Sequence, residues 1–135
     1  MGSDLLLPTV RFFHLLAAAV WTGGMLTLAV LVVALRKAGA QREQLQAAAR
    51  MFARVSWTAM AIAIGTGLGQ VVLMRLPWGY GRLHVKIGLV ALAVIIAAVH
   101  QLTAKRTSAG VRGAIQGVLL LVSLGIFAAA VALGS

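Results

Sequence analysis

The chain has 135 residues, 61% of them hydrophobic and only 10% charged, with a mean hydropathy of +1.01. A soluble domain carries about 25% charged and about 45–50% apolar residues, and a short chain exposes a large share of its surface. Twelve basic and two acidic side chains cannot cover such a surface in water, so a soluble globular domain and a disordered chain are both excluded. A single polytopic membrane domain covering residues 1–135 is what remains.

The net charge of +10 fits that class. The basic residues lie between apolar runs, where Lys and Arg set membrane orientation rather than bind nucleic acid. Cysteine is absent, which excludes disulfides, thiolate metal sites and cysteine nucleophiles. Asp4 and Glu43, the two carboxylates, stand outside the apolar runs and exclude paired-carboxylate chemistry within them.

Four apolar stretches have the length of about 20 residues that a membrane helix needs. The first runs from about Thr9 to Leu35. It is too long for a secretory signal, and its basic flank Arg36-Lys37 follows it. Lys37-Ala38-Gly39-Ala40 reads as a helix stop. The second span runs from about Val55 to Met74, with the amphipathic segment Gln44–Arg54 as its lead-in. Leu76-Pro77-Trp78-Gly79-Tyr80-Gly81 reads as a turn with interfacial aromatics. The third span is placed at about Leu83–Leu102, a break at Ser108-Ala109-Gly110, and the fourth span at about Ala114–Leu133.

Backbone groups in hydrocarbon must be satisfied internally, so these spans are helices, and short connections make sequential helices antiparallel. The expected fold is all-α, an antiparallel four-helix transmembrane bundle. Eight Lys/Arg flank the connections after spans one and three: Arg36, Lys37, Arg42, Arg50, Arg54, Lys105, Arg106 and Arg112. Arg11, Arg75, Arg82 and Lys86 stand on the other side. Positive charge collects on the cytoplasmic side, so both termini are expected outside, with a bacterial inner membrane as the expected location.

Polar residues within spans are few, and each is a candidate site. His14 and His84 both fall roughly 12 Å outward of their span midpoints at about 1.5 Å per residue. His100 lies roughly 24 Å further along span three than His84 and about 160° around it, near the cytoplasmic face. It is therefore read as a headgroup contact or a hydrogen-bonding group near Lys105 and Arg106. His14 shares a helix face with Ala18, Trp21, Met25 and Leu28, and His84 shares one with Gly88, Ala91 and Ile95. Small residues beside a histidine leave a slot for a flat macrocycle, and neutral imidazole is an axial haem ligand. Arg11, Arg75 and Arg82 suit haem propionates. The competing reading is that small residues serve helix packing and interfacial histidines reach headgroups.

The segment His14-Leu-Leu-Ala-Ala-Ala-Val-Trp21-Thr22-Gly23-Gly24 resembles the first-helix H-x6-W-x-[GA]-G signature of a family of small membrane proteins. These are the HemJ-type protoporphyrinogen oxidases and the related CopD-type copper-resistance membrane domains. Trp78 followed by Leu83-His84-Val85-Lys86-Ile87 resembles the HemJ-type third-helix element W…H-x-K-[LI]. The resemblance implies a b-type haem, with His14 and His84 as metal ligands and Trp21, Gly88, Arg11, Arg82 and Lys86 around the cofactor. The HemJ-type aromatic, proline and arginine stretch after the first-helix glycine is absent, since Met25 to Val33 follows. The resemblance thus implies the haem site rather than porphyrinogen oxidase activity, and Trp21-Thr22-Gly23-Gly24 stands nearer the CopD-like branch.

Other residues carry smaller expectations. Met25, Met51, Met60 and Met74 are soft enough for copper, against packing as the ordinary role. Gly65-Thr66-Gly67-Leu68-Gly69 lacks the Lys-Ser/Thr of a phosphate loop. Gly65 with Gly69, and Gly125 with Ala129, form small-xxx-small pairs, within the bundle or between protomers of a homodimer. Gln70 is a buried polar group that needs a partner. Lys86 lies about 200° around the helix from His84, and snorkelling is its ordinary role.

The leading functional expectation is a small membrane cytochrome b, its haem near the outer face between spans one and three, serving a quinone or a redox protein in electron transfer. Copper binding or translocation is the alternative from a second class. A structural subunit of a larger membrane complex is the third.

Overall fold

The computed structural model describes residues 2–133. Four helices account for most of them: α1 (Gly2–Lys37), α2 (Arg42–Leu73), α3 (Gly81–Thr103) and α4 (Ala109–Leu133), with no strand among the described residues. All four are long and apolar enough to cross a membrane. The chain is an all-α, multi-pass membrane protein.

It divides between Leu76 and Pro77 into two compact units, α1 with α2 and α3 with α4. In the first hairpin, Val10 lies against Gly69, His14 against Gly67, and Gly24 against Phe52, so α1 and α2 run antiparallel. Its interior is made by Ala17, Trp21 and Met25 of α1 and by Ser56, Ala59, Met60, Gln70 and Val71 of α2. In the second hairpin, Leu89 meets Gly125, and His100 meets Gln116, again antiparallel. Leu83, Ala93, Ala97, Leu119 and Ser123 are buried there.

The helix ends follow their chemistry. Gly39 adopts φ +85°, with Ala40 N–H donating to Leu35 C=O and Gly39 N–H to Arg36 C=O. This is the paired closure in which a left-handed residue ends a helix, and the stop expected at Lys37–Ala40 is found there. The same closure ends α2 with an arginine in the glycine position: Arg75 sits at φ +51°, and Leu76 N–H donates to Val71 C=O. Ser108 caps α4, its Oγ accepting from Val111 N–H at 3.3 Å. Arg112 donates to the carbonyls of Ala104 (3.1 Å) and Thr107 (2.7 Å) just past α3, while Arg82 at the start of α3 donates to Ala132 C=O (2.9 Å) near the end of α4. Each helix of this hairpin thus brings an arginine to the carbonyl-rich end of the other.

Two helices run on past the expected apolar spans, and one expected break requires correction. α1 begins at Gly2 rather than near Thr9, carrying Pro8 within it. Proline is tolerated there because its missing N–H costs one bond near the helix start. The lead-in expected at Gln44–Arg54 is found as a continuous part of α2, which starts at Arg42. Ser108-Ala109-Gly110 does not break the third connection as a unit, since α4 starts at Ala109 behind its serine cap.

Candidate functional site

His14 is half-buried on the face of α1 turned to α2. Its Nδ1 lies 2.9 Å from the carbonyl oxygen of Ala63 and 3.1 Å from Oγ1 of Thr66. A carbonyl only accepts, and the Thr66 hydroxyl already donates to Ile62 C=O at 2.6 Å. Both partners therefore accept from the ring, which requires the proton on Nδ1 and leaves the neutral ring's lone pair on Nε2. Gly67 makes the close approach feasible: a Cβ there would stand 3.1 Å from Cε1 of His14. One turn of α2 thus fixes position, rotation and tautomer of a single imidazole.

The other residues of that stripe have a different surrounding from the one expected. Trp21 and Met25 are buried, and Ala18 and Leu28 are half-buried, on the face that meets α2. The stripe is filled by protein rather than left as an open slot. Arg11, half-buried, precedes His14 by one turn. Gly24 of the Trp21-Thr22-Gly23-Gly24 motif is held by packing, because a Cβ there would fall 2.5 Å from the ring of Phe52.

The second hairpin presents the opposite picture. His84, Gly88, Ala91 and Ile95 are exposed, and nothing lies within 4 Å of a Cβ built on Gly88. This stripe is the open one. Lys86 is half-buried, on a different side of α3 from exposed His84, in keeping with their angular separation. Arg82 is exposed, with one guanidinium nitrogen on Ala132 C=O. His14, Trp21 and Arg11 belong to the α1–α2 hairpin, whereas His84, Lys86, Gly88 and Arg82 belong to the α3–α4 hairpin.

His100 shares the Nδ1–H tautomer of His14 but differs in what its Nε2 meets. Gln116 Nε2 donates to its Nε2 at 3.0 Å, so the proton resides on Nδ1, which is buried without a hydrogen-bond partner among the described residues. The lone pair that a metal would need is engaged by an amide. Of the two roles expected for His100, the hydrogen bond within the helices is the one found, with Gln116 as partner.

Met25 and Met60 are interior to the first hairpin, Met51 is exposed and Met74 half-buried. Among the described residues no group of three or more His, Asp or Glu is placed to hold a metal ion. Of the Gly65–Gly69 pair, Gly69 meets Val10 within the hairpin and Gly65 meets nothing within 4 Å, while Gly67 makes the closer approach. Gly125 does serve helix contact, against Leu89. Gln70 is buried as expected.

The residues that the sequence reading passed over are Ala63, Thr66, Gln116 and Phe52. Thr66 and Gln116 are polar residues inside spans, and that signal alone marks both as candidates. Comparison with protein-family models, curated proteins and solved structures yields no match to this chain.

Proposed function

We propose that this protein is a membrane b-type haem protein of electron transfer, with His14 as a residue that would hold the haem iron. The observation that supports this reading is the Nδ1–H of His14 held by Ala63 C=O and Thr66 Oγ1. Metal-ligating histidines characteristically donate the other ring nitrogen to a carbonyl or similar acceptor, which fixes the tautomer and raises ligand basicity. A bound haem b supplies reversible one-electron chemistry at its iron. The chain's own part is to hold the His14 ring in place through Ala63, Thr66 and Gly67. His84 is carried over from the sequence as the second candidate ligand, its exposed stripe including the uncrowded Gly88. An outer location for both termini belongs to the same proposal.

The visible spectrum of the detergent-purified protein, expressed with haem supply, tests the reading. A Soret band with split α/β bands on reduction is expected. His14→Ala should abolish or convert the low-spin spectrum, because an axial ligand is lost. Thr66→Val should shift the spectrum or potential while retaining haem, because it removes the hydroxyl acceptor from His14 Nδ1. His100→Ala should leave the haem-to-protein ratio unchanged. A colourless protein, or unaltered spectra in both His14→Ala and His84→Ala, would overturn the assignment.

A further inference from the structure

One flank of the first hairpin carries a groove of about 360 Å³, lined by Phe13, Leu16 and Val20 of α1 and by Val55, Thr58 and Ile62 of α2, with Arg54 at one end. Along α2 it extends from Arg54 to Ile62, about 12 Å at 1.5 Å per residue. Apart from Thr58 and Arg54 the lining is hydrocarbon.

The position of Arg54 gives the groove its meaning. From Arg42 to Arg54 the helix carries Arg42, Glu43, Gln44, Gln46, Arg50 and Arg54, whereas from Val55 to Leu73 no residue is charged. Arg54 therefore marks the polar–apolar boundary of α2, at the head of an apolar trough. Arg50 precedes it by one turn on the same helix face, and both are exposed. Like charges four apart on a helix repel, and an anion between them reverses the sign. Glu43 is two turns before Arg50, roughly 10 Å along the axis, too far to neutralise the pair directly. Gly24 packs on Phe52, so the Arg50–Arg54 segment runs beside the stretch Thr22 to Leu26 of α1, which holds no charged residue. Charges beside such a surface are weakly screened and strongly favour a counter-charge.

The geometry points to an anionic phospholipid as the occupant, its phosphate on the Arg54 and Arg50 guanidiniums and one acyl chain in the groove. Arginine's planar fork fits phosphate oxygens in a bidentate manner, and the trough accepts a hydrocarbon chain and little else. A zwitterionic lipid brings its own ammonium group to the same place and leaves the arginine pair less well neutralised.

The test is native mass spectrometry of the full chain, purified and delipidated in mild detergent, then titrated with phosphatidylglycerol or phosphatidylcholine of matched chains. Phosphatidylglycerol should be retained preferentially. Arg54→Gln should lower its apparent affinity about fivefold and Arg50→Gln with Arg54→Gln further, at about one headgroup-adjacent charge each. Arg54→Lys should fall between, keeping charge without the fork. Thr58→Phe keeps both arginines and fills the trough, so it should also weaken retention. Glycerophosphate, which has the headgroup chemistry without the chains, should fail to displace the lipid. Equal retention of the two lipids by wild type, displacement by glycerophosphate, or an unchanged affinity in a helical Arg54→Gln variant would each overturn the proposal. The wild-type lipid comparison and the glycerophosphate competition need no variant to fold.

Discussion

A Cβ built on Gly24 would lie 2.5 and 2.7 Å from Cε2 and Cζ of Phe52, whereas one built on Gly23 meets nothing within 4 Å. The two neighbours of the same short motif therefore separate packing from any other role. Gly24→Ala should destabilise the hairpin by about 1–3 kcal/mol, the usual range for overpacking a filled interior. Gly23→Ala should be neutral or stabilising by up to about 1 kcal/mol, from helix propensity alone. Thermal unfolding in detergent measures both, and adding Phe52→Leu to Gly24→Ala should recover most of the loss. Equal behaviour of the two glycine variants would remove the packing account of the motif. The same residue scale shows why the His14 environment was only partly legible. The histidine itself and its small neighbours are plain in the sequence. Its partners Ala63 and Thr66 lie 49 and 52 positions away, and which turn of α2 they occupy depends on how the two helices are in step.

At the scale of the element, the stops of α1 and α2 are local chemistry legible in the sequence, whereas the starts and the facing of each helix are not. A helix that is apolar nearly all round has no polar side to reveal which stripe meets its neighbour. That is the case for both α1 and α3. The stripes of His14 and His84 therefore looked alike in sequence, although one packs against α2 and the other is exposed. Helix closure is a better-determined feature, and it yields a prediction. Gly39 and Arg75 occupy the same left-handed position in the same closure, with φ +85° and +51°. A side chain in that conformation costs roughly 1–2 kcal/mol, which glycine avoids. Arg75→Gly should therefore stabilise the protein by about 1 kcal/mol, and Gly39→Ala should destabilise it by a similar amount. Paired melting curves in one detergent check the opposite signs. Two shifts of the same sign would mean that these positions are governed by something other than backbone conformation.

Across the whole chain, the two hairpins place their apolar stretches differently. In the second, Leu89 pairs with Gly125 and His100 with Gln116, so the apolar spans of α3 and α4 lie in step. In the first, Phe52 pairs with Gly24, so the polar opening of α2 runs beside apolar α1 up to Leu35. α1 has 36 residues and α2 has 32, or about 54 and 48 Å, against a hydrocarbon thickness of about 30 Å. The basic residues Arg36, Lys37, Arg42, Arg50 and Arg54 all fall between the end of α1 and the opening turns of α2. With Lys105, Arg106 and Arg112 at the α3–α4 connection, that side carries eight Lys/Arg against four on the other. The asymmetry predicts that both connections face the cytoplasm and that the α2–α3 turn faces outward. Single cysteines report this without background, because the chain has none. Ala38→Cys and Gly79→Cys are suitable, both positions being exposed and outside the helices. In intact cells an impermeant thiol reagent should label Gly79→Cys and spare Ala38→Cys, and permeabilisation should make the second reactive. Labelling of Ala38→Cys in intact cells, with Gly79→Cys protected, would invert the topology and place both termini inside.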